Sequence, residues 1–192
     1  MEKHRVLAMT DGVVAIIITI MVLELKAPAG ADFEDLHELW PVFIAYALSF
    51  IYVAIYWNNH HHYFHLVTRV NGAVMWANFH LLFWLSLIPF STAWLGEHAF
   101  ASAPAALYGV SLLMPALAWV IMQKVIIRAQ GEHSRLRAFL GRDFKGTISP
   151  VLYLSGILLS FVAPWAALLC YAVVTCIWLV PDRRIEQMAA HD

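Results

Sequence analysis

An all-α protein that crosses a membrane several times is what this sequence predicts, and three observations predict it. Hydrophobic residues make up 61% of the 192 residues, against roughly 45–50% in a typical soluble domain. Asp, Glu, Lys and Arg together make up only 13%, against about 25%. These few charges also sit in short stretches between long uncharged runs. A chain of this size cannot cover so much apolar surface with so few charged groups, so the excess faces lipid. A net charge of −1 leaves no basic surface for nucleic acid, and no such partner is expected. Cys170 and Cys176 fall on different faces of one apolar run and form no disulfide framework.

The first span, residues 5–26, is unusual. Only 12 uncharged residues, Gly12 to Leu23, separate Asp11 from Glu24, whereas roughly 17–25 are needed to cross. Asp11 therefore lies within the span. An acid facing lipid costs roughly 2.5–3.5 kcal/mol on insertion scales, so the first helix is expected inside a bundle, with Asp11 paired to another segment. Lys3-His4-Arg5, the apolar core and Ala27-Pro28-Ala29-Gly30-Ala31 imitate a secretory signal, but Asp11 and the Glu24/Lys26 pair spoil the imitation. The second span, 40–57, stops where the chain turns polar at Asn58-Asn59-His60-His61-His62. Spans 70–95 and 101–124 follow from uncharged runs of 27 residues, Val70 to Gly96, and 25 residues, Ala99 to Gln123, each long enough for one tilted helix. The last uncharged run, Gly146 to Pro181, has 36 residues, too many for one crossing. Pro164 near its middle suits the start of a second arm, giving spans 147–163 and 165–181. The chain is read as a single six-helix transmembrane domain over residues 1–192.

Six spans make the connecting segments alternate sides. Lys3, Arg5, Arg69, Lys124, Arg128 and the basic residues from Arg135 to Arg184 then share one side, leaving Lys26 alone on the other with Glu24, Asp32, Glu34, Asp35, Glu38 and Glu97. By the positive-inside rule both termini are cytoplasmic. The basic segment from Arg128 to Lys145 reads as an amphipathic stretch on anionic lipid. Trp40, Trp94, Trp119, Trp165 and Trp178 read as interfacial belt residues.

On the first helix, Met9, Gly12, Ile16, Thr19, Ile20 and Leu23 fall within about a 100° arc, and Asp11 points elsewhere. One reading is a seam against a neighbouring helix. The other is a set of identical helices around an axis, with Ile16, Ile20 and Leu23 as apolar rings and Thr19 as the only hydroxyl ring among them. Periodicity alone does not separate the two. His60, His61, His62 and His65, with His80 further on, suggest metal or haem. A membrane di-iron enzyme needs several separated histidine boxes, however, and a haem needs facing axial ligands. These histidines are instead expected to pair with Asp11 and Thr10 at the same depth, while Asn78 and His80 are buried polar groups joining helices. No nucleotide-binding, metalloprotease, hydrolase or carbonyl-filter motif occurs, so no enzyme activity and no cofactor are expected.

Three strings in order carry a resemblance. Arg5-Val-Leu-Ala-Met9-Thr10-Asp11-Gly12-Val13-Val14-Ala15-Ile16, continued by Thr19-Ile20-Met21-Val22-Leu23-Glu24-Leu25, resembles R-x-x-x-F-S-D-G-V-x-A-I and T-[IL]-[LM]-V-L-E-L. Trp57-Asn58-Asn59-His60-His61-His62, and Asn78 through Leu87-Ile88-Pro89-Phe90, complete the match. The family is that of bacterial homologues of the endosomal/lysosomal potassium channel, transmembrane protein 175. Met9-Thr10 replaces its Phe-Ser, keeping apolar bulk and the hydroxyl. The resemblance implies a homotetramer of six-helix subunits, with the first helix central and lining the pore. It implies constriction at Ile16, Ile20 and Leu23, with a threonine ring at Thr19. Arg5, Thr10 and Asp11 would brace that helix, with His60, His61, His62, Asn78 and His80 in the packing network.

The function read from all this is a potassium-permeable cation channel without a carbonyl filter, passing K+ and more weakly Na+, in a bacterial inner membrane. No metal is expected beyond permeating potassium. The alternative is a secondary transporter, proton-coupled through Asp11 and the histidines. No inverted repeat or Gly/Pro-broken helix pair supports it.

Overall fold

A computed structural model describes residues 3–131 and 144–179 of the chain. The described residues form only helices: α1 (Lys3–Leu23), α2 (Phe33–His37), α3 (Trp40–His65), α4 (Gly72–Leu85), α5 (Ile88–Glu97), α6 (Ser102–Gln130), α7 (Phe144–Leu159) and α8 (Pro164–Leu179). The stretches Lys3–Leu23, Trp40–His65, Gly72–Glu97 and Ser102–Gln130 are long and apolar enough to cross a membrane. The chain is a multi-pass membrane protein. The two apolar helices at the end are shorter, 16 residues each, about 24 Å at 1.5 Å per residue. Most of the basic stretch from Arg128 to Lys145, and the end of the 165–181 span, lie outside the described residues.

Proline and glycine set several of these helix ends, and Asn71 caps the start of α4 by accepting from the Val74 N–H. Pro41 opens α3 and Pro164 opens α8, where a missing N–H costs nothing. The helix α3 does not stop at residue 57. It runs through the asparagines and histidines to His65, because nothing there breaks a helix. In the same way α6 continues past Lys124 to Gln130 and ends at Gly131, whose φ of 73° is open to glycine at little cost. The 70–95 segment is divided: α4 ends at Leu85, and α5 starts at Ile88 with Pro89 in its first turn. Pro89 has no N–H to give the carbonyl of Leu85. The chain tightens there instead, Leu87 N–H donating to Trp84 O and the Ser86 hydroxyl to Phe83 O.

The helices pack as two connected groups. One face of α1 lies on α3, α4 and α5, while α6 contacts α4, α5, α7 and α8, and α3 also reaches α5 and α8. Val53, Val74, Ile88, Leu95, Leu112, Met122 and Val174 are fully buried between them. Trp119 belongs to this core and not to an interfacial belt: it is buried on α6 with its ring edge on Tyr63 and Tyr56. At the α6–α7–α8 junction Tyr171 packs against Gly109 and Gly156, where any Cβ would collide with its ring or hydroxyl, and it donates to Ala105 O at 3.2 Å. The Trp178 indole N–H donates to Ser149 Oγ at 2.8 Å and ties α8 to α7.

The first helix is not interior to its own chain. Only 28% of its most apolar 18 residues are buried. Its ends are held by neighbours on opposite sides of the fold. Lys3 Nζ donates to the carbonyl of His65 at the end of α3 (3.4 Å), and Lys26 Nζ pairs with Glu97 at the end of α5 (3.0 Å). So α1 runs antiparallel to α3 and parallel to α5.

Candidate functional site

Two unlike faces of α1 define the site. Val6, Thr10, Val14, Ile17 and Met21 are buried against α3, α4 and α5. They recur at the three- and four-residue spacing of one helix face. Met9, Gly12, Ile16, Thr19, Ile20 and Leu23 are exposed on another. Ile16 is 60% and Leu23 73% exposed, against 2% for Ile17 and Met21. The stripe singled out in the sequence is therefore no seam within the chain, because the intrachain seam is the Thr10–Ile17 face. Gly12 has no atom within 4 Å of where a Cβ would stand, so nothing of its own chain covers this face there.

The Thr19 hydroxyl is engaged by its own helix. Its O–H donates back to the carbonyl of Ala15 at 2.8 Å, a bond that helix-borne threonines commonly make. The proton is thus directed into the helix, and the oxygen keeps lone pairs on the exposed side.

One buried polar cluster fixes the packed face. Asn78 on α4 receives the His60 Nε2–H at its Oδ1 (2.8 Å) and donates from Nδ2 to Thr10 Oγ1 (3.1 Å). Because Oδ1 only accepts, His60 carries its proton on Nε2. The three side chains come from α3, α4 and α1 and are almost fully buried, so the cluster sets the lateral position of α1 against two helices at once. His60 also stacks on Phe64, with centroids 4.3 Å apart.

The network expected around Asp11 is divided among separate contacts. Asp11 lies on the exposed side of α1 and accepts from the Trp57 indole N–H at 2.8 Å, so its partner segment is α3. The ring of His61 stacks on Trp57, and its Nε2 lies 3.0 Å from His65 Nε2. His62 is half-buried and sets its ring edge-on to that of His61. His80 is turned to its own helix, accepting from Trp84 Nε1 at 2.9 Å, and takes no part in the Asn78 cluster. Arg5 is exposed at a groove between α1 and α4 lined by Met9, Met75 and Phe79. At the other end of α1, the carboxylate of Glu97 raises the pKa of the Lys26 ammonium above its ordinary value. Among the described residues no three His, Cys, Asp or Glu side chains converge as a metal cage.

Sequence reasoning missed two features. Trp57 was visible as a span end, and its role as donor to Asp11 was not. The signal was an indole on the next span at a depth matching an acid that needed a partner. The other is a run of hydroxyls: Ser49 Oγ lies 2.7 Å from Thr92 Oγ1 and 2.9 Å from Tyr108 Oη, and Ser111 donates to Ser91 at 2.6 Å. These join α3, α5 and α6 inside apolar surroundings, and isolated Ser and Thr in uncharged runs were their sequence trace.

The sequence profile of the endosomal/lysosomal potassium channel TMEM175 matches residues 5–89, which hold α1, α3, α4 and the break before α5. A potassium channel of Chryseobacterium sp. is 53% identical over 187 residues, 97% of each chain. A potassium channel of Chamaesiphon minutus is 31% identical over 188 residues, covering 90% of this chain and 91% of that one. The crystal structure of a lysosomal potassium-selective channel TMEM175 homolog from Chamaesiphon minutus superposes with a TM-score of 0.77 at 30% identity, over 92% of this chain and 96% of that one. Similarity at these levels runs through nearly the whole chain, beyond the three strings that first carried it, and the chain belongs to the endosomal/lysosomal potassium channel TMEM175 family.

Proposed function

We propose that four copies of this chain form a potassium-permeable cation channel, with the exposed stripe of α1 lining the pore. Each copy crosses the bacterial inner membrane six times and keeps both termini in the cytoplasm. One observation carries the reading: half of α1 is left uncovered by its own chain, and the residues on that half suit lipid poorly. It bears Asp11 at the ninth of 21 helical positions, about 12 Å along the axis from Lys3. It also bears Gly12 and Thr19 between its large apolar residues. An acid at that depth costs roughly 2.5–3.5 kcal/mol when it faces lipid, and further copies of the chain would remove it from lipid. The potassium channels that share most of their length with this chain support the choice of ion.

In such a pore Ile16, Ile20 and Leu23 would form successive apolar rings, with Thr19 as the one hydroxyl layer. Apolar side chains cannot replace an ion's hydration shell, so narrow rings act by width and by resisting water. The Thr19 oxygens, their protons engaged by Ala15, present only acceptors to the pore axis. Potassium gives up water more readily than sodium, so partial dehydration at this layer favours K+ while still passing some Na+. The Thr10–His60–Asn78 cluster and the Trp57–Asp11 bond hold each α1 at the radius that sets the ring width.

The test is current through purified protein in a planar bilayer under K+/Na+ gradients, with particle mass measured alongside. A reversal potential displaced toward that of K+, from a particle of four chains, is the expected result. Flux that requires a counter-moving proton and saturates like a carrier would overturn the channel reading.

A further inference from the structure

We infer that His61 and His65 form a binding site for a first-row divalent metal ion of the zinc class, held by their two Nε2 atoms at the end of the fold that carries Lys3. The two residues are one turn apart near the C-terminus of α3, and both are exposed. Residues at this spacing project from the same helix face, and two histidines four apart on a helix can hold one zinc ion together. Their Nε2 atoms are 3.0 Å apart. With Zn–N bonds of about 2.0–2.1 Å, two ligands sit about 3.3 Å apart at a tetrahedral angle and about 2.9 Å apart at a right angle. The observed separation already lies within that bite. Imidazole nitrogen selects zinc, nickel and copper over potassium, magnesium and calcium, so the permeating ion does not compete. Exposure leaves the remaining coordination positions to water.

In the metal-free pair one Nε2 carries a proton and points it at the other. Metal binding needs both Nε2 lone pairs, so the donor ring releases that proton to water and takes one on Nδ1. The neutral pair therefore binds without net proton release. Lys3 opposes the ion, since its ammonium reaches the carbonyl of His65 at 3.4 Å and repels a dication. Occupancy also reaches α1. The His61 ring lies 6.2 Å, centroid to centroid, from Trp57 in a near-parallel stack, and Trp57 donates to Asp11. Fixing the His61 rotamer thereby fixes the indole that holds the carboxylate of α1.

The test uses full-length protein in detergent, purified without a histidine tag, titrated with ZnCl2 by calorimetry. We expect one zinc per chain. His61→Ala and His65→Ala should each weaken binding at least tenfold, His62→Ala should leave it within twofold, and Lys3→Gln should tighten it. Magnesium should give no heat. Binding unchanged in both His61→Ala and His65→Ala overturns the site. The second arm rests on the channel reading: zinc on the Lys3 side should change wild-type K+ current at least twofold, and should not in His61→Ala. Trp57→Phe should keep the zinc heat and lose the current response. Zinc that acts equally on wild type and His61→Ala overturns the coupling. A wild-type protein without current strikes the channel reading and leaves the calorimetric result standing.

Discussion

Thr19 shows how a single side chain divides its chemistry between the helix and the exposed face. Its proton bonds Ala15, and its oxygen remains open. Thr19→Val keeps the shape and removes the oxygen, so we expect lower K+ conductance and a reversal potential shifted toward that of a non-selective pore, at unchanged expression. Thr19→Ser should keep most of the selectivity. Equal current and selectivity in Thr19→Val would place the residue off the pore. Asn78 tests the opposite face. Asn78→Leu leaves the His60 N–H and the Thr10 hydroxyl without their bonds in a buried site, a loss of about 1–3 kcal/mol that should lower the thermal midpoint in detergent. An unchanged midpoint would mean the cluster does not hold α1. At this scale the sequence revealed the need more readily than the partner. The cost of an acid within a span predicted that Asp11 must be paired, but the choice of Trp57 depends on how α1 and α3 sit against each other. Likewise Asn78 and His80 looked alike as buried polar groups, yet two positions along α4 turn them to opposite sides, one to Thr10 and the other to Trp84.

The elements obey backbone rules more closely than polarity rules. Uncharged runs located the long helices because lipid excludes charge, and prolines marked where α3 and α8 start. The helices α3 and α6 run on beyond the spans read from the sequence, because polar residues mark the edge of a membrane without breaking a helix. The division at Ser86–Leu87 was legible in principle through Pro89, but an uncharged run of sufficient length masked it. Small residues decide the α6–α7–α8 junction, where the Tyr171 ring occupies the space a methyl would need. Gly156→Ala should therefore destabilise this junction by about 1–3 kcal/mol, the usual range for an overpacked core. Tyr171→Phe loses only the bond to Ala105 and should cost less. Chemical denaturation of both variants checks the order; Tyr171→Phe proving the more damaging would mean that the hydroxyl outweighs the ring.

At the scale of the whole molecule, α1 leaves an apolar stripe and, beside it, a mid-span acid on the half that its own chain does not cover. Periodicity could outline the Ile16 stripe but not say what it faces, because a stripe facing a helix, lipid or a pore has the same spacing. The buried Val6–Met21 face removes a helix of the same chain from the choices, and a mid-span acid beside the stripe on the uncovered half argues against lipid. Ile16 is the first large side chain on that stripe beyond Gly12, and four of them around an axis would form a dewetting constriction. Ile16→Asn keeps a similar length and offers water and ions a polar surface. We expect larger currents, with Na+ gaining most and the reversal potential moving toward that of a non-selective pore. Val22→Ala serves as the matched control, since Val22 is also exposed, at 45%, but lies about 120° around the helix from Ile16 at 100° per residue. It should change selectivity little. If Val22→Ala shifts the reversal potential and Ile16→Asn does not, α1 faces the axis with a different side, and the ring assignment of Ile16, Ile20 and Leu23 fails together with it.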